Sequence, residues 1–126
     1  MKITTGVDII EVDRIEKAVE DLGDGFLNRV YTKTELEYCE KSNKMRYQHL
    51  AARFAAKEAV FKALSCEINR ENLTWQVIEV INNEDGRPKI NIEKLKECGL
   101  ENLEDIDVSM SHIKEYAIAN AVAVFR

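Results

Sequence analysis

The chain has 126 residues, of which 45% are hydrophobic and 33% are charged, and its formal net charge is −5. This length suits one domain with a real core and is too short for two ordinary domains, while the composition argues against a disordered or membrane-spanning chain. We therefore expect a single domain over residues 1–126. Because non-specific nucleic-acid binding relies on basic surface, the acidic balance also argues against nucleic acid as a partner.

The first part of the chain predicts a strand followed by a helix. Alternating apolar residues indicate a strand at residues 3–10, in which Asp8 interrupts an apolar face. Asp13 is positioned to cap the following helix, with Glu16 able to reach back to it, and Gly23 is positioned to end that helix.

The central part of the chain predicts two helices. Thr32 and Glu35 form a capping-box pattern, which predicts a short helix. A long alanine-rich helix follows around residues 53–64, and within it Glu58 lies on the face expected to be buried, where a carboxylate needs a metal ion or another cation as its partner. Lys62, one turn later, is one such cation. Alternatively, Glu58 and Lys62 form a solvated pair on the helix surface.

After Cys66 the pattern changes from helical to extended. The predicted strands of this part are residues 73–81, 89–92, 106–112 and 116–125. Gly86 supplies the positive φ of a predicted turn at residues 84–88, and Gly99 ends a predicted helix at residues 93–98. The last strand carries alanine at alternate positions, which favours close packing against a helix or another subunit. We therefore expect an α+β fold with a largely antiparallel sheet.

The start of the chain and its cysteines each argue against certain features. The N-terminus passes directly into strand-like sequence, without the apolar stretch and cleavage site of a signal peptide. The three cysteines, Cys39, Cys66 and Cys98, are widely spaced and form no C-x-x-C pair, so they indicate reduced thiols rather than disulfides or a zinc site. The lack of a signal peptide and of any apolar run of membrane-spanning length predicts a cytoplasmic location by default.

Four polar side chains in otherwise apolar segments could converge on one site, namely Asp8, Glu58, Lys62 and His112. Two carboxylates suit a hard cation such as Mg²⁺, which takes one or two carboxylates together with phosphate oxygens and water. Lys62 could donate to the same phosphate oxygens. His112 could bind a further phosphate, or it could be a structural histidine. The sequence has no glycine-rich phosphate loop, which argues against a Rossmann or P-loop nucleotide site.

The chain resembles the holo-acyl-carrier-protein synthase type of 4′-phosphopantetheinyl transferase over nearly its whole length. The resemblance rests on GVDI at residues 6–9, RFAAKEAVFKAL at 53–64, GRP at 86–88 and SMSH at 109–112. It implies a 4′-phosphopantetheinyl transferase fold, in which the sheet packs on a long central helix. It also implies transfer of 4′-phosphopantetheine from coenzyme A to a serine of an apo-acyl carrier protein, with release of adenosine 3′,5′-bisphosphate, in support of fatty acid biosynthesis.

The resemblance also implies roles for individual residues. Asp8 and Glu58 would hold Mg²⁺ together with the coenzyme A diphosphate, and Lys62 would contact the diphosphate and stabilise its charge. Glu58 or a metal-bound water would accept the serine proton, so Glu58 and Lys62 are the implied catalytic residues. The implied coenzyme A contacts are Arg53, Lys62, Arg87, Pro88 and His112.

Assembly and partners follow from the same resemblance. It implies a homotrimer with active sites between neighbouring subunits. The acidic carrier protein would dock beside the first helix, where Arg14 matches a basic position common in the family and charge complementarity would speed encounter.

The sequence departs from the family pattern at two places, and other functions stay open. Residues 65–68 read SCEI where the family usually has a Gly-Thr-Gly loop, and Ile113 replaces the usual serine or threonine. One alternative is therefore a trimer that binds coenzyme A or the carrier protein without transferring anything. Another is a small α+β enzyme acting on acyl-coenzyme A, such as a hot-dog thioesterase, although this alternative explains neither Asp8 nor the basic central helix.

Overall fold

The computed structural model describes the backbone of residues 1–126 and every side chain except that of Arg70. The strands are Lys2–Glu11 (β1), Val80–Asn82 (β2), Pro88–Ile90 (β3), Leu103–His112 (β4) and Tyr116–Phe125 (β5). The α-helices are Val12–Leu22 (α1), Asp24–Val30 (α2), Lys33–Cys39 (α3), Arg46–Leu64 (α4) and Ile92–Glu97 (α5), and a 3₁₀ helix lies at Arg70–Asn72. Over the residues described, no helix is long and apolar enough to cross a bilayer.

An antiparallel sheet covered on one face by the long helix α4 forms the centre of the fold. The sheet has the strand order β1-β5-β4, and a separate small sheet pairs β2 with β3. Asp8 lies opposite Ala119, and His112 lies opposite Ala117. Because α4 contacts all three strands, it lies over the central strand with β1 on one side and β4 on the other. This arrangement confirms the predicted α+β class.

The alanine face of β5 packs against α4. Its buried alanines are Ala117, Ala119, Ala121 and Ala123. They share hydrophobic clusters with the alanines of α4, and small side chains on both surfaces let the helix approach the sheet closely. On the other face of β5, Ile118 and Val122 are exposed. Of the two partners that the alanine pattern favoured, the helix is therefore the one that this face contacts.

Gly6 marks a very close approach between β1 and α4. A Cβ atom at Gly6 would lie 2.0 Å from the carbonyl oxygen of Ala59 and 2.9 Å from the backbone nitrogen of Ala63. Nearby, the Thr4 hydroxyl donates to the carbonyl oxygen of Ala63 at 2.6 Å. Asp8 follows Gly6 by two residues and shares its side of the strand, so this approach places Asp8 against the helix.

We expect Gly6→Ala to destabilise the protein by about 3 kcal/mol or more, because the backbones of β1 and α4 would have to separate. The matched control is Gly25→Ala in α2, where nothing lies within 4 Å of an added Cβ, and the expected change is less than about 1 kcal/mol. Urea unfolding of both variants measures the difference. Equal effects of the two substitutions would contradict the close approach.

One helix start agrees with its prediction and another does not. At α3 the predicted capping box is present: the Glu35 N–H donates to Thr32 Oγ1 at 3.3 Å, and the Thr32 N–H donates to Glu35 Oε1 at 2.8 Å. Helix α1 begins at Val12 with Glu11 at the N-cap and no side-chain cap bond, so the prediction that Asp13 caps it is wrong. Asp13 lies in the first turn, where the helix dipole favours a negative charge.

The predicted strand at residues 73–81 is wrong over most of its length, since within this part of the described backbone only Val80–Asn82 pairs as a strand. The preceding residues form turns. In these turns the carbonyl oxygen of Trp75 accepts a hydrogen bond from Lys57 Nζ at 2.7 Å. Because a side chain satisfies this backbone group, the β-branched sequence is held in place without a neighbouring strand.

Candidate active site

Asp8 and Lys62 meet where β1 packs against α4. Asp8 Oδ1 lies 3.3 Å from Lys62 Nζ, and the Asp8 side chain is 18% exposed whereas that of Lys62 is 49% exposed. Lys62 Nζ also donates to the carbonyl oxygen of Val7 at 2.8 Å. An ion pair this accessible to solvent contributes less than about 1 kcal/mol, so a ligand can displace it at small cost.

Glu58 lies one turn before Lys62 on the same helix, which puts the Cβ atoms of the two residues about 6 Å apart. Its side chain is half-buried and lines a cleft of about 300 Å³. Apolar walls of this cleft come from Phe61, Leu73 and Trp75. The structure therefore brings Asp8 into contact with Lys62, and Glu58 lies one helical turn before that lysine.

The donor set at this position limits which metal could bind. Among the described side chains, no group of three or more histidine, cysteine, aspartate or glutamate residues could hold an ion. Asp8 and Glu58 offer hard carboxylate oxygens and leave further ligands to come from elsewhere. That set fits an ion such as Mg²⁺, which is usually held by one or two carboxylates and completes its shell with phosphate oxygens and water.

The other predicted site residues lie around the first half of α4. Arg53 is buried, with its guanidinium 3.9 Å from the centre of the Tyr38 ring, and it donates to Asn82 Oδ1 at 3.2 Å. His112 Nδ1 lies 2.8 Å from Gln48 Oε1.

The predicted turn residues lie nearer the surface. Arg87 is exposed and lies 3.4 Å from Asp107 Oδ2. Pro88 follows it as the first residue of β3.

Within one copy of the chain, these residues and the Asp8 region lie on different sides of α4. Arg53 and Lys62 are nine residues apart, which corresponds to opposite sides of the helix and about 13.5 Å along it. Asp8 and His112 lie on the two outer strands of the sheet, about 10 Å apart across β5 before any offset along the strands. The predicted site residues therefore form two separate groups in a single subunit.

Sequence reasoning missed a buried ion pair next to Glu58. Lys57 is fully buried; its Nζ lies 2.6 Å from Glu35 Oε1 and donates to the carbonyl oxygens of Val30 and Trp75. Burial raises the pKa of Glu35 and lowers the pKa of Lys57, and each shift is opposed by the charge of the partner. Glu35 was predicted only as a capping residue, and no spacing rule links it to a lysine on another helix.

The fold is thus an antiparallel sheet packed on a long helix, with Asp8 and Lys62 in contact where the two meet. The family model of the 4′-phosphopantetheinyl transferase superfamily matches residues 4–121, and the chain belongs to this family.

Relatives of known name and solved structures agree with this assignment. The chain is 42% identical to a holo-[acyl-carrier-protein] synthase of Ruminiclostridium cellulolyticum, over 97% of this chain and 92% of that protein. It is 46% identical to a holo-[acyl-carrier-protein] synthase of Dehalococcoides mccartyi, over 94% of this chain and 96% of that protein. The Helicobacter pylori synthase in complex with coenzyme A superposes with a TM-score of 0.80 at 30% identity, covering 95% of this chain and 99% of that one. The coenzyme A complex of a Chronobacterium ammoniagenes synthase superposes with a TM-score of 0.83 at 27% identity, covering 100% of this chain and 99% of that one.

Proposed function

We propose that the protein transfers 4′-phosphopantetheine from coenzyme A to a serine hydroxyl of an apo-acyl carrier protein, in the cytoplasm and in support of fatty acid biosynthesis. The serine oxygen forms a bond to the phosphorus next to the pantetheine arm, the bond from that phosphorus to the bridging oxygen breaks, and adenosine 3′,5′-bisphosphate leaves. The observation that carries the proposal is the contact of Asp8 with Lys62, one turn from Glu58, in a chain of this family.

Asp8 and Glu58 are the residues that would hold Mg²⁺ in this proposal. Their oxygen ligands suit the ion, and the open part of its shell suits the diphosphate of coenzyme A. When bound, the ion would neutralise negative charge on the diphosphate oxygens.

Lys62 and Glu58 act on the reacting groups. Lys62 Nζ is exposed and is tethered by the carbonyl oxygen of Val7, so it can turn from Asp8 to the diphosphate and stabilise the charge that develops on the leaving oxygen. Glu58, or a water molecule beside it, accepts the serine proton. The cleft that Glu58 lines gives the serine or the pantetheine arm a route to this position.

We propose that Arg53, Arg87, Pro88 and His112 bind coenzyme A at a site completed by a neighbouring copy of the chain, in a homotrimer. The support is geometric, since this group and the Asp8 group lie on different sides of α4. The outer face of the sheet supports the same proposal. Large apolar side chains are exposed side by side on β1 and β5, and such a face normally packs against another protein surface. The exposed residues are Ile3, Val7, Ile9, Ile118 and Val122.

We expect Ile118→Glu to give a folded monomer with little activity, because a charge would be buried in the subunit interface. The control is Leu22→Glu, which changes an exposed apolar residue at the end of α1, away from the sheet face, and the trimer should persist. Light scattering measures the mass of each variant. A monomeric wild type, or a trimeric Ile118→Glu variant, would contradict the proposed assembly.

The acidic carrier protein would approach along α1 and α2. Arg14 and Lys17 are exposed on α1, and Arg29 of α2 lies at the cleft that Glu58 lines. Complementary charge would speed encounter with an acidic partner.

The reaction itself is tested by its small product. Incubation with coenzyme A, Mg²⁺ and an apo-carrier should release one adenosine 3′,5′-bisphosphate per carrier, measured by chromatography. A carrier whose acceptor serine is replaced by alanine is the control and should give none. Tight binding of coenzyme A without product, across several carriers, would overturn the proposal in favour of a protein that only binds.

A further inference from the structure

The two histidines of the chain lie against each other near the start of α4. The ring centroids of His49 and His112 are 5.6 Å apart with an interplanar angle of 78°. The His49 ring also lies 5.4 Å from the ring of Tyr38. Arg53, one turn after His49, stacks over the same tyrosine. Two imidazoles and a guanidinium are thus collected around one aromatic side chain.

Among the side chains that the structure describes, none gives this cluster a negative partner. Arg53 is only 3% exposed and, among the described side chains, it forms no ion pair, since its terminal nitrogen donates to the neutral amide of Asn82. Arg53 Nε and His49 Nδ1 are both buried without a hydrogen-bond partner. Buried cations and buried polar nitrogens are normally paired, so the chemistry of this cluster suits an anion.

The electrostatic surroundings of His49 agree with that conclusion. The charged and titratable groups that face it are Tyr38 from α3, His112 from β4 and Arg53 on its own helix, and none of these is a carboxylate. Burial lowers the pKa of His49, and the positive charges of Arg53 and His112 lower it further. An anion bound among these groups would raise the pKa of His49, because it would favour the protonated ring.

We propose that His49 is a further coenzyme A-binding residue, which together with Arg53 and His112 takes the 3′-phosphate and carries a proton while that phosphate is bound. The inference rests on the proposed function, which supplies coenzyme A as the ligand. Coenzyme A is anionic at its diphosphate and at its 3′-phosphate, and the diphosphate is already assigned to Lys62. The 3′-phosphate is the remaining anion, and its charge of nearly −2 matches a site with several cationic donors.

Binding should consequently depend on pH in a way that reports on His49. Lower pH favours the protonated ring, so the preference for coenzyme A over dephospho-coenzyme A should grow by about fivefold between pH 8 and pH 6.5. In His49→Phe, which keeps a ring to pack on Tyr38, the preference should grow clearly less over the same pH range, because the phosphate keeps only Arg53 and His112 as partners. Calorimetric binding constants for both ligands test this without any catalytic turnover.

A direct test follows the two imidazoles by NMR, with His49→Phe used to assign their signals. Adenosine 3′,5′-bisphosphate should raise the pKa of His49, whereas adenosine 5′-phosphate, which lacks the 3′-phosphate, should not. An unchanged His49 titration in the adenosine 3′,5′-bisphosphate complex, or an equal rise with both nucleotides, would overturn the inference. Failure of transfer by the wild type would instead overturn the proposed function, so the two failures are distinguishable.

Discussion

Glu58→Gln is expected to lower the rate of phosphopantetheine transfer by about a thousandfold or more while leaving the fold intact. The amide has the shape of the carboxylate but carries no negative charge, so it can neither hold a divalent cation as well nor accept a proton. Glu58 is half-buried at the cleft, one turn from Lys62, and no backbone element has to move to fit the amide. Single-turnover kinetics with excess enzyme measures the loss at the chemical step.

Two further variants make this experiment specific. Asp8→Asn should give a loss of similar size, because it removes the other carboxylate. Glu37→Gln, an exposed glutamate on α3, is the control and should keep wild-type activity. Wild-type activity in Glu58→Gln, with an unchanged unfolding midpoint, would show that Glu58 has neither of its proposed roles.

Lys57→Met should destabilise the fold by about 3–5 kcal/mol, the usual effect of removing one partner from a buried ion pair. The substitution leaves Glu35 as a buried charge with no cation beside it. It also leaves the carbonyl oxygens of Val30 and Trp75 without the donor that now lies within 2.7 Å of each. Urea unfolding, monitored by circular dichroism, measures the change.

The same helix offers a matched control for this prediction. Lys62→Met makes the identical substitution at a side chain that is 49% exposed, and it should cost less than about 1 kcal/mol of stability while reducing activity. The double variant Lys57→Met with Glu35→Gln should recover part of the lost stability, since it removes the uncompensated charge. Equal destabilisation by Lys57→Met and Lys62→Met would contradict the buried pair.

Local signals predicted much of the fold. The capping box at Thr32 was predicted correctly because both of its hydrogen bonds join residues that are three positions apart. Gly86 and Gly99 adopt the positive φ that ends a turn or a helix, at 88° and 112°. The hairpin of β4 and β5 follows from two alternating runs on either side of a short polar connection. Each of these features depends on neighbours in the sequence.

Features that depend on distant contacts were missed or misassigned. The strand predicted at residues 73–81 fails because Trp75 and Gln76 bond to lysines on α4 and α5 instead of to a strand. Helix α2 was not predicted, since its seven residues bury only one short apolar stripe. Tertiary contacts decide such segments more than propensity does.

The candidate site also has a part that local sequence predicts and a part that depends on distant contacts. Asp8, Glu58 and Lys62 were predicted as site residues because a charge in an apolar pattern is visible in the sequence, and the structure places Asp8 and Lys62 3.3 Å apart. The separation of Arg53 and His112 from that group depends on which side of α4 each one faces, and the motifs alone do not give it. Residues 65–68 form a turn after α4, with Ser65 at φ −62°, so this chain does not use glycine flexibility at Ser65.

The most direct test of the central claim is the intact mass of an apo-acyl carrier protein after incubation with this protein, coenzyme A and Mg²⁺, with and without a chelator. We predict that the carrier gains the mass of one 4′-phosphopantetheine and that the gain disappears when the chelator is present. An unchanged carrier mass in the presence of Mg²⁺, across several apo-carriers, would contradict the transferase function, and a gain that the chelator leaves intact would contradict the role of Asp8 and Glu58 as metal ligands.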